Sequence, residues 1–192
     1  MPVVFDSSYL IPLFDSRYGS AGALDDRIAF LLRNLDRDKT TIIIPAPALS
    51  EVLIGAGDAA PRYLSVINAS ARFRVAPFAE RAAVEAAAAH REAIRAGDKK
   101  EGTPSWAKIK YDRQIVSIAI VESASIIYSN DDDIRRISLG SNMEVVSLSD
   151  LPFPPPEPQP IPPPARSRAA DLFDELIAEE DPKSVETEPD VE

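Results

Sequence analysis

Cysteine is absent from the 192 residues, so there is no disulfide frame and no thiolate chemistry, and a reducing cytoplasm suits the chain. Histidine is represented only by His90, which reads as a helix surface residue. No uncharged run reaches the roughly 18 residues that a spanning helix needs. The opening MPVVFDSSYL lacks a basic leader region and sets Asp6 in its apolar run, which argues against a secretory signal. A soluble, cytoplasmic protein with no membrane partner is therefore expected. Positive charge is also scarce, since the formal net charge is -10. Divided along the chain, however, residues 152–192 hold 11 acids and 3 bases, which leaves 20 acids and 18 bases before them, a net of -2. If several of those acids gather in one site, the rest of the body is relatively basic, so a nucleic-acid partner stays open.

What is present is an apolar content of 45%, enough for one domain with a core of ordinary size, and a regular alternation of strand and helix patterns. Pro2 to Phe5 reads as a fully apolar, central strand with Asp6 just past its end, and Ser7 or Ser8 opens a helix through Leu10, Leu13 and Phe14. A second helix is predicted from Ala23 to Leu35, and a second strand from Thr40 to Ile44. Pro47 then starts a helix over 48–55 that carries Glu51 one turn in and stops at Gly55 and Gly57. A helix over 59–69, an edge strand over Arg72–Val75 and an alanine-rich helix over Ala79–Arg95 follow. The polar, partly basic segment from Gly97 to Trp106 reads as a loop that Trp106 packs. A last strand is predicted at Met143–Leu148. This order implies a three-layer α/β/α sandwich with a mainly parallel five-stranded sheet.

Between these lies KYDRQIVSIAIVESASIIYSNDDDI, Lys110 to Ile134, around which the chain is organised. Asp112 is predicted in the first turn of a helix whose buried face continues through Ile115, Val116, Ala119 and Ser123. A helix N-terminus favours the ionised form of an acid. Ile126-Ile127-Tyr128 then makes a covered strand that breaks at Ser129 to Asp133, and a short helix runs through Arg136. Helix and parallel strand run oppositely, which brings Asp112 and Asp131 to one edge of the sheet. With the first strand central, the chain changes direction beside it, and ligands of open α/β sheets bind at that switch point. Asp6, Asp112 and Asp131 point there, and Glu51 can reach it. Each acid alone has a plainer reading: a cap for Asp6, a surface position for Glu51, pairing with Lys108 or Arg113 for Asp112, and a solvated turn for Asp131 to Asp133.

FDSSYLIPLF, the LSEVL helix, KYDRQIVSIAI and ASIIYSNDDDI, in this order, resemble the four acidic blocks of the PIN domain family, including VapC-like toxins of bacterial toxin–antitoxin pairs. The resemblance covers about residues 2–150. It implies a ribonuclease directed at single-stranded RNA, with Mg²⁺ or Mn²⁺ held by Asp6, Glu51, Asp112 and a fourth acid. The fourth falls on Asp131, the acid after the strand, or on Asp133, two positions on. Ser129 matches a supporting hydroxyl. An antitoxin protein is an implied partner, and a homodimer is expected.

The residues support that chemistry independently. Two carboxylates about 4 Å apart repel by about 4 kcal/mol at an effective dielectric near 20, a burden that a divalent cation removes. An oxygen-only donor set suits Mg²⁺ or Mn²⁺. Direct ion contacts are expected from Asp6, Asp112 and Asp131, with Glu51 holding a second ion or orienting water. Lys99, Lys100, Lys108, Lys110 and Arg113 flank these acids, and both phosphate contact and a solvated face are open for them. A receiver-like phosphoacceptor would want two adjacent acids after the first strand, whereas Asp6 precedes Ser7 and Ser8. A PIN-like scaffold without activity, working through its tail, remains the other reading.

Residues 1–150 are thus read as a nuclease domain and 151–164 as a stiff proline-rich linker. Residues 165–192 read as a disordered acidic tail in which Leu172, Phe173, Leu176 and Ile177 mark one side of a short helix. The tail is either solubilising or a docking segment.

Overall fold

Strands without a charged residue can be covered on both faces, and three of the five strands among the described residues have none. A computed structural model describes residues 1–14, 23–97 and 106–156. In chain order the elements are β1 (Val3–Phe5), α1 (Ser7–Phe14), α2 (Ala23–Arg37), β2 (Ile42–Pro45), α3 (Ala46–Ala56), α4 (Ala60–Ala69) and β3 (Phe73–Ala76). They continue with α5 (Glu80–Arg95), α6 (Trp106–Val121), β4 (Ile126–Tyr128), α7 (Asp132–Ile137) and β5 (Glu144–Val146). Short 3₁₀ turns occupy Gly57–Ala59 and Leu148–Asp150.

All strand pairs are parallel, and the sheet order is β3-β2-β1-β4-β5. The uncharged β1, β2 and β4 fill its centre, and Arg74 in β3 marks an edge. Successive side chains of a strand point to opposite faces, and the core divides accordingly. Val3 and Phe5 pack with Ile42, Ile44 and Tyr128 beneath α1, α2 and α4. Val4, Ile43 and Ile127 pack with Ile115, Ile118 and Ala119 of α6 and Ile134 of α7. The helix α3 sends Val52 to the first cluster and Ala48 to the second. Three layers result, as the alternation of elements implied.

Four expectations about local structure need correction. The helix α6 begins at Trp106, so Asp112 sits in its second turn, beyond the reach of the partial charge at a helix N-terminus. Ile109 is fully buried in that added turn, so the buried face starts there and not at Asp112. At its other end α6 stops at Val121, and Ser123 is exposed with a left-handed φ of 54°, closing the helix instead of continuing the face. The helix α3 starts directly after Pro45, which puts Glu51 in the second turn, and it runs through Gly55 to Ala56; only Gly57, at φ 51°, ends it. The linker from Glu157, the acidic tail, Lys99 and Lys100 lie outside the described residues, and so does the side chain of Trp106.

Candidate metal centre

Sheet register builds the site. Phe5 of β1 pairs with Tyr128 of β4, so the next residues on the two strands, Asp6 and Ser129, meet beyond the carboxyl edge at the switch point. The Asp6 N–H donates to the Tyr128 carbonyl at 3.1 Å, and the Ser129 hydroxyl donates to Asp6 Oδ2 at 2.9 Å. Both residues are buried. Ser8 adds a second hydroxyl donor to Asp6 Oδ2 at 3.1 Å, and Ser8 Oγ in turn accepts from the Asn130 N–H at 2.9 Å. Ser7 lies 3.5 Å from Asp6 Oδ1 but 2.6 Å from Glu51 Oε2. A hydroxyl has one proton to give, and the short contact takes it, so Ser7 belongs to Glu51.

On the β4 side, Asp131 caps α7 by accepting the Asp133 N–H at 2.8 Å, while its own N–H donates to Ser129 Oγ at 3.1 Å. Asp112 approaches from α6. One carboxylate oxygen from each of Asp112, Asp131 and Asp133 lies within 4.8 Å of the others. The Lys108 ammonium stands among them, 3.0 Å from Asp112 Oδ2, 2.7 Å from Asp131 Oδ2 and 2.5 Å from Asp133 Oδ2. Arg136 pairs with the other oxygen of Asp133.

Burial dominates the titration of Asp112 and pushes its pKa up to about 6, against the hydrogen bond and charge of Lys108, with Asp131 and Asp133 adding to the rise. Asp133 is held below the usual carboxylate range, chiefly by the Lys108 hydrogen bond, with Arg136 contributing. Partial burial works to lower the Lys108 pKa, but its hydrogen bonds to Asp131, Asp133 and Asp112 together raise it. The ammonium is thus firmly charged and Asp112 is the strained acid of the set.

Of the acids predicted from sequence, Asp112 and Asp131 fall in the trio. Asp133, kept as an alternative, falls in it too. Asp6 joins through the Ser129 hydroxyl, which touches both Asp6 and Asp131, whereas Glu51 is bonded to Ser7, the residue next to Asp6 in the chain, and shares no hydroxyl with the other acids. Asp131 to Asp133 is a helix cap and not a solvated turn, and the plain reading of Asp112 as a partner of Lys108 is also present. Arg113 is buried, only 3% exposed, which removes it as an RNA contact, whereas Lys110 is exposed and His90 is partly covered on α5. Sequence reasoning missed Ser7 and Ser8 as bridges and Arg136 as a partner of Asp133. The i,i+4 spacing of Lys108 and Asp112 signalled their pairing, but nothing in sequence tied Lys108 to α7.

Three hard oxygen donors this close match the needs of Mg²⁺ or Mn²⁺, which take oxygen ligands at about 2.1 Å and keep several waters. Ser129 positions two of the acidic residues at once. Ser129→Ala is expected to destabilise the fold by about 1–3 kcal/mol, because the Asp131 N–H and a buried Asp6 oxygen each lose a partner. Urea unfolding would measure it, and an unchanged midpoint would show that the bridge carries nothing.

The sequence model of the PIN domain matches residues 3–139. No curated protein matches the chain. Among solved structures, VapBC2 from Rickettsia felis, bound to a DNA fragment from their promoter, has a TM-score of 0.55 at 17% identity, covering 77% of this chain and 98% of that one. VapBC-1 from nontypeable Haemophilus influenzae gives 0.51 at 16% identity over 78% of this chain and 99% of its own. DNA-bound VapBC from Salmonella typhimurium gives 0.50 at 16% identity over 77% and 98%. At such identities the likeness is one of fold. The family match runs from β1 through α7 and so takes in every acidic residue of the site; this chain belongs to the PIN domain family.

Proposed function

We propose that the protein is a metal-dependent endoribonuclease acting on single-stranded regions of RNA, and the toxin of a toxin–antitoxin pair. The observation that carries this reading is the convergence of Asp112, Asp131 and Asp133, from two separate elements, at the switch-point edge of the sheet. Mg²⁺ or Mn²⁺ would be held by these three. Asp6, bridged to Asp131 by Ser129, and Glu51, held by Ser7 beside Asp6, would supply two more carboxylates for a second ion or its waters. A divalent ion held there would supply positive charge against the negative charge of the phosphate and would make a water easier to deprotonate to the attacking hydroxide. The chain's own part is positional. Ser129 fixes Asp6 against Asp131, the α7 cap fixes the Asp131 rotamer, and the exposed Lys110 is our candidate for a contact with an RNA phosphate.

The antitoxin partner is supported by the solved complexes named above, in which PIN-fold neighbours are VapBC assemblies. We also assign a homodimer, a cytoplasmic location, residues 1–150 as the nuclease body and the following proline-rich and acidic segments as an appendage. Cleavage of a labelled single-stranded RNA tests the reading: activity with Mn²⁺ or Mg²⁺ is expected to vanish in excess EDTA and to return when the ion is restored. Full activity in EDTA, or none under any ion, would refute it.

A further inference from the structure

We propose that Lys108 is the chain's own occupant of the cation position, an ammonium that balances Asp112, Asp131 and Asp133 until a divalent ion binds and that then gives up all three. This rests on the metal-dependent reading of the site. The geometry is that of an occupant and not of a bystander. Lys108 Nζ stands 3.0, 2.7 and 2.5 Å from the Oδ2 atoms of three different carboxylates, hydrogen-bonded to Asp112 and Asp133 and ion-paired with Asp131. Those residues also form the only group of three or more possible metal ligands among the described residues.

Occupation by both cations is excluded by space and by charge. An ion held at about 2.1 Å by these oxygens fills the volume that Nζ uses at hydrogen-bond distance, and the two positive charges would repel at a few ångströms. Exchange is open instead, because the side chain of Lys108 is 40% exposed, more than those of Asp131 at 29%, Asp133 at 16% and Asp112 at 7%. The lysine therefore enters from the mouth of the site and can withdraw into water, while the acids are fixed in the walls. Charge favours the exchange. The three carboxylates with Lys108 and Arg136 sum to a formal charge of -1, and a divalent ion in place of the ammonium brings the group to neutrality.

The consequence is a metal-free protein that stays folded around its acids, with an ion affinity lowered by the competitor it carries. Lys108→Met keeps the length of the stem and removes the charge. Titration of the full chain with Mn²⁺ alone, by calorimetry, is expected to give at least roughly tenfold tighter binding in Lys108→Met, because an ammonium seated in nine molecules out of ten taxes the apparent affinity by that factor. Lys108→Arg, which keeps the charge, is expected to bind no tighter than wild type. Thermal unfolding supplies a second reading. Without metal the Met variant should melt below wild type, and in saturating Mn²⁺ the two should coincide, since the lysine has by then left the carboxylates.

Equal Mn²⁺ affinity in wild type and Lys108→Met, a tighter Lys108→Arg, or a deficit in melting temperature that persists undiminished at saturation would each overturn the exchange while leaving the metal-dependent reading intact. Failure of wild type and Lys108→Met alike to bind Mn²⁺ would overturn both.

Discussion

Asp112→Asn is expected to lower RNA cleavage by at least roughly 10²–10³-fold, the scale of loss when one preorganised stabilising group is removed from a reacting centre, and at the same time to make the metal-free protein more stable at pH 7. The second effect follows from the environment of the carboxylate. Burial raises its pKa to about 6 despite Lys108, so the native state prefers the neutral acid. Between the ordinary value of 3.8 and about 6 the unfolded chain ionises while the folded chain holds its proton, and stability falls as pH rises through that window. Above it both states are ionised and the loss is complete, about 2–3 kcal/mol by the proton linkage. Asparagine has nearly the shape of the neutral acid and carries no such penalty. The variant and wild type should therefore unfold alike near pH 4, separate up to pH 6 and stay apart above it.

Asp133 does not confuse the comparison, because its pKa is lowered. Its contribution is in place above pH 4 and disappears only as pH falls below the ordinary carboxylate value. Urea unfolding at a series of pH values in EDTA, with cleavage assayed in Mn²⁺, measures both effects. Retained cleavage would remove Asp112 from the chemistry, and a variant no more stable than wild type at pH 7 would mean that its burial is not the dominant influence.

The same residue shows where sequence is informative and where it stops. That Asp112 and Asp131 lie at one edge of the sheet follows from chain direction alone, because a helix feeding a parallel strand must begin where that strand ends. The central place of β1 was legible because Val3, Val4 and Phe5 carry no charge and so suit cover on both faces. The start of α6 was not legible. Lys108 and Lys110 flank Ile109, and Trp106 and Ile109 alone make too short a stretch to reveal a period of 3.6 residues.

Arg113 failed for a related reason. Nearness in sequence to Asp112 says nothing of direction when each residue turns the helix by about 100°, and Arg113 is buried while Lys110 faces water. By composition Asp131, Asp132 and Asp133 are equivalent, and the family resemblance narrowed them only to Asp131 with Asp133 as its alternative, without showing that both join Asp112. Only the cap geometry decides among them: with Asp131 bonding the Asp133 N–H, the first turn of α7 brings Asp133 to Lys108.

Asp131→Ala should match Asp112→Asn in lost cleavage, roughly 10²–10³-fold, and oppose it in stability. Asp131 does two things at once. Its Oδ1 caps α7 through the Asp133 N–H at 2.8 Å, and its Oδ2 faces Lys108 at 2.7 Å. Alanine removes both, and loss of an N-cap alone costs about 0.5–2 kcal/mol. Lys108 keeps Asp112 and Asp133, so the ammonium is not left alone in the site. Asp131→Asn separates the two roles, since asparagine caps a helix as well as aspartate does but binds a cation poorly. It should unfold at the wild-type urea concentration and still fail to cut RNA. Were Asp131→Asn to cleave as wild type does while Asp131→Ala does not, the residue would be a cap and nothing more, and the ion would have to be held without it. The expected pattern is equal loss of activity with stability raised in one variant, lowered in another and unchanged in the third. Damage to the fold cannot produce that pattern, because it would make activity and stability fall together.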